Sequence, residues 1–324
     1  MHLFLQDSKN KNKMVIYYNT SSILNLQPLN LPLETAISTF LLATLSYLVI
    51  LFCNLCLNLT VVLNKTLHQP MHLLLINLPI NDLIGSTAFF PQIIKELLLD
   101  TRKMHYTACL AQAFCIHTYA VGAVLILSLM AYDRYVAICS PLKYQSIMTN
   151  AHIMKLITAM WVFSLILVSV IFILLLRLPR CKSLITHSYC DNPSLLGLVC
   201  ADTSINNIYG LFTVAIVQLI GHASIIYTYL HILVACCKTK RSDTKSKAMQ
   251  TCATHLVVFL LLECMGLFTI ISYRLNNISP VLRRFIGASA IIFPSTLNPI
   301  IYGLKTKEIR GKALAFFRKR IFIF

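Results

Sequence analysis

Seven long apolar stretches limit this chain more than any other feature. They run at about 36–63, 72–98, 106–139, 155–177, 203–237, 248–272 and 282–304, and each is long enough to cross a bilayer as a helix. The third and fifth exceed the roughly 20 residues that a span requires, so they are expected to project into water or to tilt. The connecting segments are too short for a separate domain, and no internal repeat or low-complexity tract interrupts the pattern. With 57% of 324 residues hydrophobic, 12% charged and a mean hydropathy of +0.73, the chain lies outside the range of an ordinary soluble domain. An all-α, polytopic membrane protein is expected, with its two ends on opposite sides of the bilayer.

The net charge of +17 fits that setting. Lysines and arginines divide almost evenly between the two sides, so the signal rests on those beside the spans: Lys238, Lys240, Arg241, Lys245, Lys247 and the cluster from Lys305 onward. By the positive-inside rule these favour the third inner loop and the tail in the cytoplasm and the amino end outside, and the motifs described below decide what the charge count leaves open. The excess charge reads as topology and as contact with lipid headgroups or an acidic partner; it does not point to nucleic acid. Residues 1–35 are expected as an extracellular N-terminal segment without a signal-peptide layout, 36–304 as the membrane bundle and 305–324 as a basic cytoplasmic tail. Asn19-Thr20-Ser21 is a glycosylation acceptor if that segment is extracellular. Asn58-Leu59-Thr60 lies inside a span and Asn64-Lys65-Thr66 faces the cytoplasm, so neither is expected to be modified.

Polar groups inside the spans need partners among other helices, water, ions or a ligand. Asn54, Asp82 and Asn298 lie at depths that allow one inter-helical network. Pro299 is expected to break the seventh helix one turn before Tyr302, and Pro79 to bend the second. In the outer half His117, Gln218, His222 and Glu263 are the deepest polar side chains, with Arg274 at the outer end of the sixth span. Burial requires Glu263 to be protonated or paired. The third stretch ends in MAYDRYVAIC, Met130 to Cys139, where Asp133 is the nearest ionic partner of Arg134. That pair can sit at the interface and open when the bundle opens, with Tyr229 offering a hydroxyl to Arg134. Against each functional reading stands a plain one: helix-helix packing for the buried groups, headgroup anchoring for Arg274, and a water boundary for Asp133-Arg134.

MAYDRYVAIC, with Pro141 and Tyr144 behind it, resembles the signature of the odorant receptor branch of the rhodopsin-like G protein-coupled receptors. Other family marks follow in order: LHQPM at Leu67 to Met71, Asp82, Cys109 with Gln112 and His117, HSYCD at His187 to Asp191, KAMQTCATHL at Lys247 to Leu256, and NPIIYG at Asn298 to Gly303 before KTKEIR. The resemblance covers about residues 35–312 and looks most like the fish-type subgroup. It implies a rhodopsin-like seven-helix bundle with an extracellular N-terminus and a short amphipathic eighth helix in the tail. It further implies that Asp133, Arg134, Tyr135, Tyr229, Asn298, Pro299 and Tyr302 form the activation switch and G protein contact. Asn54, Asp82 and Asn298 then form a sodium-responsive core, with no other cofactor. The pattern departs from the family at His72, Pro79 and Glu263, the last replacing a usual aromatic residue at the activation pivot.

Twelve cysteines divide by position, and Cys109, Cys181, Cys190 and Cys200 fall on the outer side, where bridges form. Four cysteines allow three pairings, and sequence alone does not choose. The resemblance implies Cys109 to Cys190 and Cys181 to Cys200. Spacings of nine and ten residues within the loop disfavour zinc. Cys236 and Cys237 lie where acylation is possible.

Three classes of function compete. A ligand-gated receptor accounts for the spans, the Asp133-Arg134 pair and the basic inner loop together. A transporter or channel is the runner-up, but transporters are often built from internal repeats, and none is visible. A membrane enzyme needs a nucleophile or metal constellation, and His68, His72 and Asp82 do not make one. The resemblance makes the partners a small odorant, bound near His117, His222, Glu263 and Arg274, and a stimulatory, cyclic-AMP-raising G protein at the plasma membrane of olfactory sensory neurons. Arg274 favours acids and Glu263 favours amines or hydroxyl donors; burial neutralises a carboxyl more readily than an arginine, so acids are preferred.

Overall fold

The computed structural model describes residues 22–27, 31–99, 101–187, 189–238, 242–275, 278–305 and 307–321, without the side chains of 242–248, 251, 273, 274, 280, 304, 305, 307 and 316–321. Asn19 and the side chain of Arg274 therefore lie outside the described residues. In chain order the principal elements are β1 (Ile23–Leu26), α1 (Leu33–Leu63), α2 (Pro70–Leu99), β2 (Lys103–His105), α3 (Tyr106–Cys139), α4 (Asn150–Leu176), β3 (Leu184–Ile185), α5 (Ser204–Lys238), α6 (Ser242–Arg274), α7 (Pro280–Lys305) and α8 (Lys307–Ile321). Short helices at Tyr144–Ile147 and Asn192–Leu196 sit in the loops after α3 and β3. Among the described residues seven helices, α1 to α7, carry segments long and apolar enough to cross a membrane.

Several spans begin earlier than hydropathy indicates. α1 starts at Leu33 and α6 at Ser242, where polar turns extend the apolar run, and α4 starts at Asn150. The last follows from local chemistry: Thr149 Oγ1 accepts the His152 N–H at 3.2 Å, an N-cap that fixes the first turn. α2 is interrupted at Ile76. Pro79 has no N–H for the Leu75 carbonyl four residues back, so the helix turns there.

α3 is the axis of the bundle: 67% of its apolar window is buried, against 17% for α1 and 22% for α5. Close approach around it depends on small residues. A Cβ on Gly122 would lie 2.4 Å from Asn81 Oδ1, and the Asn81 amide donates across to the Tyr119 carbonyl at 3.0 Å. Trp161 Nε1 donates to Asn77 Oδ1 at 2.9 Å and fixes α4 to α2. Leu41, Leu42, Leu45 and Phe52 of α1 are exposed, an apolar surface that suits lipid.

One end of the bundle, here called outer, carries a small sheet that the sequence reading did not foresee. β1 is its central strand, antiparallel to β2 and parallel to β3. The sequence ILNL alternates: Leu24 and Leu26 are buried while Ile23 and Asn25 face out. The same end holds the bonds Cys109–Cys190 and Cys181–Cys200, with Cα separations of 5.3 and 5.8 Å. The Arg180 guanidinium lies 3.6 Å above the Tyr106 ring, and Gln112 accepts the Cys190 N–H at 2.7 Å while donating to the Ala88 carbonyl at 2.8 Å.

Candidate functional site

At the inner end of α3, Asp133 is fully buried and Arg134 turns back onto it. Arg134 Nε and Nη2 donate to Asp133 Oδ2 at 3.0 and 2.5 Å. Tyr144, from the short helix of the following loop, donates its hydroxyl to Oδ1 at 2.8 Å. Burial and the Asp133 carboxylate push that phenol above its ordinary range, so it remains a donor. Both oxygens of Asp133 are thus held, and Arg134 is bonded to its own helix. The Tyr229 hydroxyl, buried nearby on α5, has no hydrogen-bond partner. Tyr135 instead packs edge-on against Tyr227 and His231. On α7, Tyr302 pairs with His255 of α6, hydroxyl to Nδ1 at 3.2 Å, a contact the sequence reading missed.

The middle of the bundle joins α1, α2, α3 and α7. Asn298 Nδ2 donates to both oxygens of Asp82, at 3.3 and 2.9 Å. Asn54 does not enter that side-chain network as expected; its amide donates to the backbone carbonyls of Ile50 at 2.9 Å and Ser295 at 3.0 Å. The reason lies in Pro299. A helix carbonyl ordinarily receives the N–H four residues ahead, and proline has none, so Ser295 O is free for Asn54. The same rule applies one turn outward: Pro294 frees Ala290 O, which accepts the Tyr119 hydroxyl at 3.2 Å. α7 therefore runs unbroken through both prolines, correcting the expected break at Pro299. Side chains from α1 and α3 replace the missing donors. The signal was in the sequence as two prolines in one span, but the partners are distant in the chain.

The Asp82 carboxylate has the Ser295 hydroxyl beside it, and Asn54 Oδ1 is buried without a partner among the described residues. Hard oxygen donors of this kind fit a small cation such as sodium.

In the outer half the expected ligand residues separate. Glu263 of α6 faces both His222 and Gln218 of α5. His117 Nδ1 donates to the Ala113 carbonyl of its own helix at 2.9 Å, and the ring packs edge-on against Phe172 of α4. Arg274 ends α6.

This geometry, a seven-span bundle with a closed Asp-Arg pair at the inner end of its axial helix, is that of a rhodopsin-like G protein-coupled receptor. The olfactory receptor family profile matches residues 43–320. Among similar human proteins, Olfactory receptor 52H1 is 38% identical over 84% of this chain and 88% of its own length. Olfactory receptor 52N5 is 34% identical over 84% and 85%, and Olfactory receptor 52D1 is 34% identical over 83% and 85%. The chain belongs to the olfactory receptor family. It is a multi-pass plasma-membrane receptor that couples to G proteins, takes small-molecule ligands and is not an enzyme.

Proposed function

We propose that this receptor binds a small odorant among the outer halves of α3, α5, α6 and α7 and activates a stimulatory, olfactory-type G protein, raising cyclic AMP in olfactory sensory neurons. The observation that carries the reading is the closed Asp133-Arg134-Tyr144 arrangement beside the unpartnered Tyr229 hydroxyl. It is the resting arm of a two-state element. An odorant that binds the open state better shifts the population toward it. The inner end of α6 moves outward, the Tyr302-His255 contact parts, and Arg134 leaves Asp133 for Tyr229, opening a socket for the G protein α subunit. Asn54, Asp82, Asn298 and Pro299 form the hinge through which α7 follows. When a sodium ion is bound, Asp82 and Ser295 hold it and its charge favours the resting state.

The outer end is extracellular in this reading. Residues 1–35 then lie outside, with Asn19 available for glycosylation, the bundle spans 36–304, and the basic tail from 305 onward meets inner-leaflet lipid. Arg134→Ala tests the coupling. It is expected to leave surface level and ligand binding intact while abolishing the cyclic-AMP response. A normal response at matched surface level would overturn the reading.

A further inference from the structure

A carboxyl group sits buried in the outer half of the bundle, facing Gln218 and His222 and no fixed cation among the described residues. Glu263 of α6 is 4% exposed; the Gln218 side chain lies beside its carboxyl, but among the described residues neither oxygen has a hydrogen-bond partner within 3.5 Å. Across from it on α5, Gln218 Oε1 is also buried without a partner. Gln218 and His222 are the polar groups that face the carboxyl. His222 lies beside the carboxyl, with its Nδ1 donating to the Gln218 backbone carbonyl at 2.9 Å and its ring 5.6 Å from Phe259. One turn further in the helices close: a Cβ on Gly221 would stand 2.6 Å from Val124 of α3 and 3.6 Å from Phe259 of α6. The three acceptors therefore lie just above a packed floor where α3, α5 and α6 meet.

The chemistry of these atoms selects among ligands. A bare carboxylate in this environment is costly, and Gln218, whose Nε2 can donate to it, brings no compensating charge. Protonating Glu263 supplies one donor and leaves acceptors over. A hydroxyl ligand likewise brings one donor, and a carboxylate ligand brings none. A primary ammonium brings three donors and the compensating charge. We propose that Glu263 and Gln218 form the recognition site for the ammonium group of a small alkylamine odorant. This rests on the odorant-receptor reading and reverses the preference for acids drawn from Arg274.

The test uses purified full-length receptor in lipid nanodiscs at neutral pH, with hexylamine, hexanol and hexanoate as probes and melting temperature as the readout. Hexylamine is expected to raise the melting temperature saturably, and hexanol and hexanoate much less. Glu263→Gln, of nearly the same shape, is expected to weaken hexylamine by roughly tenfold or more, the scale of a lost charge-assisted hydrogen bond. Glu263→Asp retains the preference for amine. Should Glu263→Gln not fold, Gln218→Leu is expected to weaken hexylamine selectively in its place. The proposal is overturned if hexanol or hexanoate equals hexylamine on the wild type, if none of the three binds, or if hexylamine acts equally on Glu263→Gln. Binding of hexylamine without a cyclic-AMP response in cells would leave this site standing and remove the signalling reading. A cyclic-AMP response to hexanol or hexanoate alone would do the reverse.

Discussion

Proline at 299 and asparagine at 54 act as one unit, and the energetic consequence is measurable. Asn54→Ala leaves the buried Ser295 carbonyl without a donor, which costs about 1–3 kcal/mol. Pro299→Ala returns an N–H to that carbonyl. The cost of Asn54→Ala is therefore expected to shrink in the Pro299→Ala background, and a double-mutant cycle on thermal unfolding measures the difference. At the inner end, Tyr144→Phe removes one of the donors to Asp133. It is expected to raise ligand-free cyclic AMP, because hydrogen bonds to a charged group contribute roughly 1.5–3 kcal/mol and this one favours the closed pair. An unchanged basal level at equal surface expression would count against the assignment. Residues at this scale were partly legible in the sequence. Asp133 and Arg134 adjoin, so their pairing could be read directly, and the depth of Asp82 and Asn298 brought them together. Asn54 was misread because its partner is a backbone atom, which no side-chain pattern reveals. Tyr144 was visible only as part of a motif, since its partner lies across a loop.

Elements differed in the same way. The spans were legible because hydropathy is a local property of each stretch, and only their polar first turns were lost. β1 was not legible: four residues of alternation are too little signal, and its partners come from two other loops. The alternation has a testable consequence. Leu24→Asp places an unpaired charge beneath the sheet and is expected to lower the melting temperature and surface level, whereas Ile23→Asp, on the face that is 47% exposed, leaves both nearly unchanged. The loop after β3 adds a pH dependence. Burial pushes the His187 imidazole below its ordinary range, against the pull of Asp191, while Arg283 and Arg284 lower it further. The unfolded chain then takes up this proton more readily than the folded one. The contribution to stability is complete above the ordinary imidazole value of about 6.5 and is lost as pH falls below it toward the folded-state value. Melting temperature measured from about pH 7.5 down to about 5.5 is expected to fall more steeply for wild type than for His187→Gln, the ordinary imidazole value lying inside that window.

The whole molecule is built on a buried α3, with α5 and α6 less embraced: 22% and 28% of their apolar windows are buried. The inner ends of these two meet α3 where Cys139, Cys236 and Cys252 pack in one cluster. Oxidative cross-linking of Cys252 to either of the others is expected to hold α6 in place and abolish the cyclic-AMP response without loss of ligand binding. Cys252→Ala receptors are expected to be insensitive to the same treatment, and equal inhibition of both would exclude this route. The outer sheet bears on how such a molecule is made. β1 needs one neighbour that is synthesised after the second span and another that appears only after the fourth. This early segment can pair with β2 once the second span is made, but its place in the sheet is complete only after the fourth, and until then one of its edges waits unpaired. A carrier protein or epitope fused just ahead of this strand stays tethered to it through that interval, so its bulk weighs on maturation more than on the finished receptor.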